Sequence, residues 1–153
     1  MKHVDIWTDG AAKGNPGPGG YGVVIKYTDS KGEVHRKEIK EAFEMTTNNK
    51  MEVKSAIVAL KALNEPCEVT LTSDSQYLVK AFNEGWIDTW IKEDFRRGKK
   101  DEVKNIDLWE EMIELTKKHK VTFKWVKGHA DNVENERCDA LANEAIKELN
   151  AKV

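Results

Sequence analysis

Apolar and polar positions alternate over residues 3–9, with β-branched and aromatic side chains favoured, which predicts a β-strand. Residues 21–27 predict a second strand. After the turn Ser30-Lys31-Gly32, residues 34–43 can return as a third, so the chain should open as an antiparallel meander. Between the first two strands, residues 10–20 hold five glycines and two prolines, the pattern of a loop. The period then changes. Val53, Ile57 and Leu60 are spaced for a helix running to Leu63, with Thr47 or Asn48 as cap and Pro66 as stop. Residues 69–73 predict a strand which, reached by a crossover, should lie parallel to the first. A helix with Tyr77, Leu78, Ala81 and Phe82 follows and breaks near Gly85. Trp86, Ile87, Trp90 and Ile91 then mark a short amphipathic helix. Beyond an irregular basic stretch come a helix over 106–116, a strand over 121–126 and a closing helix over 132–149. The order β-β-β-α-β-α-α-α-β-α describes an α/β chain: a mixed five-stranded sheet, with antiparallel and parallel strands, on which helices pack.

Composition adds little to this picture but removes several alternatives. A chain of 153 residues with no internal repeat or low-complexity linker fits one domain, 1–153. The formal charge of −2 gives no global basic signature, so any nucleic-acid contact must be local. Cys67 and Cys138 are too few for a disulfide framework and read as reduced core thiols. No apolar signal region opens the chain and no stretch is long enough to span a membrane. That predicts a cytoplasmic protein without membrane contact.

Four acidic residues break the pattern. Asp9 ends the first strand run and Asp74 the fourth, each where a strand should stop. Glu52 lies on the stripe of Ala56, Ala59 and Leu63, and Asp139 on that of Ala142, Ile146 and Leu149. A carboxylate on a core-facing stripe is costly unless it is paired or bound to a cation. Asp74-Ser75 could also be a plain helix cap, and Glu52 could serve the helix dipole, but mid-helix Asp139 has no such role. Carboxylates without clustered His or Cys suit magnesium or manganese rather than zinc, and a pair of such ions suits phosphoryl transfer.

Three further features sit near these acids. In Trp125-Val126-Lys127-Gly128-His129-Ala130 a strand ends, Gly128 permits a turn, and His129 stands one loop before Asp139, placed for a proton-handling or product-release role. The glycines after Asp9 allow close backbone approach to a phosphate or sugar, without the Gly-Lys-Ser/Thr of a Walker loop. Trp86, Trp90 and Phe95 stand beside Arg96, Arg97, Lys99 and Lys100, a combination of stacking surface and cations suited to nucleic acid. Trp90 reads as core, and Glu93, Asp94, Asp101 and Glu102 dilute the charge.

Taken in order, the motifs resemble a known family. They are Thr8-Asp9-Gly10 with the run from Gly14 to Gly22, Thr46-Thr47-Asn48-Asn49-Lys50-Met51-Glu52, Thr72-Ser73-Asp74-Ser75-Gln76-Tyr77, Val103-Lys104-Asn105-Ile106-Asp107-Leu108-Trp109, Trp125-Val126-Lys127-Gly128-His129-Ala130, and Asn135-Glu136-Arg137-Cys138-Asp139. This series is similar to bacterial ribonuclease H of type 1. The resemblance implies a sheet with helices on both faces. It implies an endonuclease that cuts the RNA strand of an RNA–DNA hybrid, leaving 5′-phosphate and 3′-hydroxyl ends. Asp9, Glu52, Asp74 and Asp139 would bind two Mg2+ ions, with Mn2+ a possible substitute, and His129 would assist. Gly10, Ala11, Asn15, Asn48, Asn49 and Gln76 would line the minor groove and read 2′-hydroxyls. Thr47 would hold a DNA-strand phosphate, Tyr77 and Trp86 would face deoxyribose, and residues 86–104 would form a basic protrusion. Phe95 stands where a tryptophan is common, and Ala11 and Ala12 where some members carry a hydroxyl or thiol. The hybrid would be the partner of a monomer with no obligate protein partner. The competing readings are a binding module that has lost catalysis and a nuclease or strand transferase directed at DNA.

Overall fold

The computed structural model of the chain describes residues 1–92, 96–97, 101–102, 105–128 and 132–151. His129 and most of the basic stretch, with Glu93, Asp94, Phe95, Lys99 and Lys100, lie outside the described residues. Strands β1 (Lys2–Ala12), β2 (Gly17–Thr28) and β3 (Val34–Thr46) form the antiparallel meander. Helix α1 (Asn48–Lys61) crosses to β4 (Cys67–Ser73), which pairs parallel to β1. Helices α2 (Gln76–Asn83), α3 (Trp86–Lys92) and α4 (Ile106–Lys118) follow, then β5 (Lys120–Trp125), parallel to β4, and α5 (Val133–Ala151). A two-residue ribbon pairs Arg96–Arg97 with Asp101–Glu102. The sheet order is β3-β2-β1-β4-β5.

The glycine-rich stretch is mostly strand rather than loop. The β1–β2 ladder extends to Ala12 opposite Gly19, which leaves only residues 13–16 as connection. Pro18, which has no amide to give a ladder, falls where the β2–β3 register shifts between Gly17 and Gly19. Its carbonyl accepts from Lys13 N at 2.6 Å and closes the hairpin. Composition favoured a loop here, and pairing on both sides of β2 overrode it.

Alternation along the strands sorts side chains onto two faces. Ile6, Val23, Ile25, Leu71 and Phe123 pack with α1–α4, while Trp7 and Val24 meet Cys138 and Leu141 of α5. Both cysteines are free and buried. Helix α1 is buried nearly all round, Glu52 included, because the sheet covers one side and α4 the other. Helix α5 is also held by charge: Arg137 forks onto Glu38 of β3 with bonds of 2.8 and 3.0 Å, and Glu134 pairs with Lys26 and Arg36. Trp90 is buried as expected. Among the described residues, no helix is long and apolar enough to cross a membrane.

Candidate active site

Parallel pairing of β1 with β4 ends at Thr8 opposite Ser73. Strand β4 stops there, and β1 continues, paired only with β2, with Asp9 opposite Gly22. Asp9 and Asp74 are thus the first residues beyond the parallel ladder, at the carboxyl end where α/β sheets gather ligands. Asp74 does end a strand. Asp9 does not: it is inside β1, whose outer edge β2 still satisfies. Asp74 is not the helix cap either. That role falls to Ser75, whose Oγ accepts from Leu78 N at 3.1 Å, and Thr47 caps α1 in the same way from Lys50 N at 3.2 Å.

Glu52 reaches the same point because α1 lies directly on Gly10. A Cβ at Gly10 would stand 2.6 Å from the Met51 carbonyl carbon and 2.7 Å from Glu52 N, so only glycine admits the helix this close. The Gly10 N–H donates to Asp9 Oδ1 at 3.0 Å and also to Glu52 Oε1. Carboxylate oxygens of Asp9, Glu52 and Asp74 lie within 4.8 Å of one another. Asp139, half-buried on α5, is outside that tight group, but its charge reaches Asp9.

Crowding shows in the proton affinities. Burial pushes the Asp9 carboxyl far above its ordinary value, and the Glu52, Asp74 and Asp139 charges push it further. Glu52 is raised by burial and by Asp74, against hydrogen bonds from Asp9, Gly10 and Ser75 that favour its charged form. Without a cation, such a pair keeps a proton at neutral pH. The donor set is all oxygen, hard and over-charged, which fits a divalent cation of the magnesium or manganese kind. A second acidic group, Asp29, Glu33 and His35, lies on an exposed hairpin where the Asp29 carboxylate is taken up by turn amides and by His35 at 2.9 Å.

Of the expected substrate residues, the structure brings Asn15 and Asn48 together. Asn48 Oδ1 accepts from Ala12 N at 2.7 Å, and Asn15 Oδ1 accepts from Asn48 N at 3.2 Å, so the β1–β2 connection is tied to the start of α1. Ala11 lies beside it, half-buried on β1, and Asn49 and Gln76 are exposed in the first turns of α1 and α2. Tyr77 is half-buried; its hydroxyl accepts from Trp109 Nε1 at 3.1 Å and from Asn105 Nδ2 at 3.3 Å. Trp86 is partly exposed and joins Tyr77 through an aromatic chain, Trp86–Trp90–Trp109–Tyr77, with centroids 5.2 to 6.2 Å apart. The site is the open end of a sheet, a shape suited to a long polymer. The sequence had not marked Ser75 as a support for Glu52 or Trp109 as a holder of Tyr77. Both were visible only as helix-cap and core types.

The chain belongs to the ribonuclease H family, whose model (RNase H) matches residues 1–147. It is 57% identical over 143 residues to the ribonuclease H of Lachnoclostridium phytofermentans, covering 93% of this chain and 90% of that one. It is 52% identical over 152 residues to the ribonuclease H of Syntrophus aciditrophicus, covering 99% and 85%. Among solved structures it is similar to LC9-RNase H1, a type 1 RNase H with the type 2 active-site motif, with a TM-score of 0.87 and 30% identity over 97% of this chain and 74% of that one. LC11-RNase H1, solved in complex with RNA/DNA hybrid, matches with a TM-score of 0.69 and 28% identity over 95% and 98%. Family membership implies a nuclease hydrolase that depends on divalent metal.

Proposed function

We propose that this protein is an endonuclease that hydrolyses the RNA strand of RNA–DNA hybrids, leaving 5′-phosphate and 3′-hydroxyl ends. It would act as a monomeric enzyme of the cytoplasm. The observation that carries the reading is the convergence of Asp9, Glu52 and Asp74 at the open carboxyl end of the sheet. These three, with Asp139, would hold two Mg2+ ions when substrate is present, and Mn2+ could replace them. Bound there, the ions supply Lewis-acid activation of water and neutralise charge at the phosphoryl group.

The chain's own residues have separate tasks. The Gly10 amide and Ser75 hold Glu52 toward Asp9, so the carboxylates are aligned before substrate arrives. Asn15 and Asn48 turn their carbonyl oxygens onto backbone amides, which leaves their amide donors for 2′-hydroxyls and base edges in the minor groove. Gly10, Ala11, Asn49 and Gln76 complete that surface. Thr47 uses one lone pair as cap, and its hydroxyl can still donate to a DNA-strand phosphate. Tyr77 and Trp86 give the deoxyribose a flat apolar face, on which a 2′-hydroxyl would clash. His129 is proposed, from its place in the sequence, to move a proton beside the acids or to aid release.

The test uses end-labelled RNA–DNA hybrid, duplex RNA, duplex DNA and single-stranded RNA, each with magnesium and with chelator. Metal-dependent cutting of the hybrid's RNA strand alone is the expected result. Cutting of duplex DNA, or binding of hybrid with no cutting, would overturn the reading.

A further inference from the structure

We propose that Trp125 and Gly128 are positioning residues that clamp Asp74, fixing its backbone at one end and its carboxylate at the other. The inference rests on the reading of Asp74 as a metal ligand. Asp74 is less buried than Asp9 and Glu52 and stands alone between the end of β4 and the cap of α2, so packing does little to fix its direction. Neighbouring β5 supplies what packing does not. Trp125 lies opposite Ser73 in the parallel register, and Val126 N extends the ladder by donating to Ser73 O at 3.0 Å. The Trp125 indole N–H then donates to the Asp74 carbonyl at 3.1 Å, which restrains the peptide that follows the acid.

Gly128 acts on the other end. A Cβ there would stand 2.9 Å from Asp74 Oδ2 and 3.8 Å from both Cβ and Cγ of Asp74. Any side chain at residue 128 would thus displace the carboxylate, so its position depends on glycine there. Among the described residues the glycines with positive φ are Gly14, Gly32 and Gly85, so at Gly128 it is closeness to Asp74, not backbone conformation, that demands glycine. Residue 128 does lie in a turn, as the sequence suggested, and the closeness of Asp74 is a second demand on it. Trp125 is 45% exposed, so burial holds it only in part, and its indole N–H is directed by the bond to the Asp74 carbonyl.

Trp125→Phe removes the indole donor and keeps a ring; Gly128→Ala puts a methyl against the carboxylate. The measurements, on the full chain, are Mn2+ binding by electron paramagnetic resonance, kcat and KM on RNA–DNA hybrid with magnesium, and melting without metal. Both variants should melt with the wild type, bind Mn2+ several-fold more weakly and lose kcat, about tenfold or more for Gly128→Ala, because small misplacements of reacting groups are expensive. KM should stay within about twofold. Wild-type Mn2+ affinity and kcat in both variants, or a loss confined to KM, would overturn the clamp. If Gly128→Ala fails to fold, Trp125→Phe decides alone. A wild-type chain that cuts no hybrid would refute the function while the Mn2+ isotherms still judged the clamp.

Discussion

Replacing Asp9 by Asn should stabilise the metal-free protein while abolishing cleavage. In the folded chain the Asp9 carboxyl is forced upward from its ordinary value of 3.8, first by burial and then by Glu52 and Asp74. The unfolded chain has no such constraint. Folding at neutral pH therefore takes up a proton, and a carboxyl with a raised folded pKa stabilises fully only below its unfolded pKa. Stability is lost as pH rises through the folded value. Two routes give the size. Unit charges separated by the 4.8 Å that bounds the cluster repel by about 3–4 kcal/mol at an effective dielectric near 20. From linkage, the cost at pH 7 of a carboxyl that begins near 3.8 is capped at about 4 kcal/mol. Since the pair already shares a proton, about 2 kcal/mol is the expected net gain, or roughly 4–8 °C in melting temperature for a chain of this size. Asn keeps an oxygen for the Gly10 amide, so no hydrogen bond is lost there. The assay is thermal unfolding by circular dichroism from pH 5 to 9, with chelator and then with magnesium. The wild type should lose stability as pH rises, recover it with magnesium, and be overtaken by Asp9→Asn most clearly at high pH. A variant that melts at or below the wild type throughout, in chelator, would mean that crowded charge at Asp9 does not weaken the metal-free fold.

Other substitutions address the supports of the site. Ser75→Ala removes both the α2 cap and a hydroxyl on Glu52; it should cost about 1 kcal/mol in urea unfolding and lower kcat more than that loss of folded protein explains. Gly10→Ala drives a methyl into the backbone of α1 and should destabilise by about 1–3 kcal/mol; unchanged denaturant midpoints would mean that α1 can move away. Trp109→Phe strips a donor from Tyr77 and should raise KM for hybrid with little change in kcat, read from initial rates. His119 is buried, accepts from Cys67 N at 3.0 Å, and is held below its ordinary pKa by burial and by Lys118. The unfolded chain therefore binds its proton more readily, and stability from this group is present above the unfolded pKa and lost as pH falls toward the folded one. His119→Asn should flatten that acid-side decline in denaturant titrations between pH 7.5 and 5.

Much of this was legible because it is periodic. The order of strands and helices, the parallel crossover and the buried Trp90 all follow from spacing and side-chain type, and these survive folding because neighbours in sequence dictate them. What the sequence concealed depended on residues far away. Gly17, Pro18, Gly19 and Gly20 read as loop, yet they are strand because β1 and β3 flank β2 on both sides and the bulge absorbs the proline. Asp9 read as a strand end; whether a strand ends there depends on which edge still has a partner, and β2 outlasts β4 by several residues. Asp74 and Ser75 were equivalent as caps until the backbone chose Ser75, and that choice releases Asp74 to face Asp9 and Glu52. Gly10 carried a signal for close approach but no hint that the visitor is a helix beginning some forty positions later. The same cause underlies all four cases. The site is made where three chain segments stop matching each other in length, and a mismatch of lengths is a property of the sheet that no single stretch of sequence contains. It is also why acids collect there: the backbone beyond the parallel ladder is open on one edge, so carboxylates from β1, from the residue after β4 and from α1 meet there.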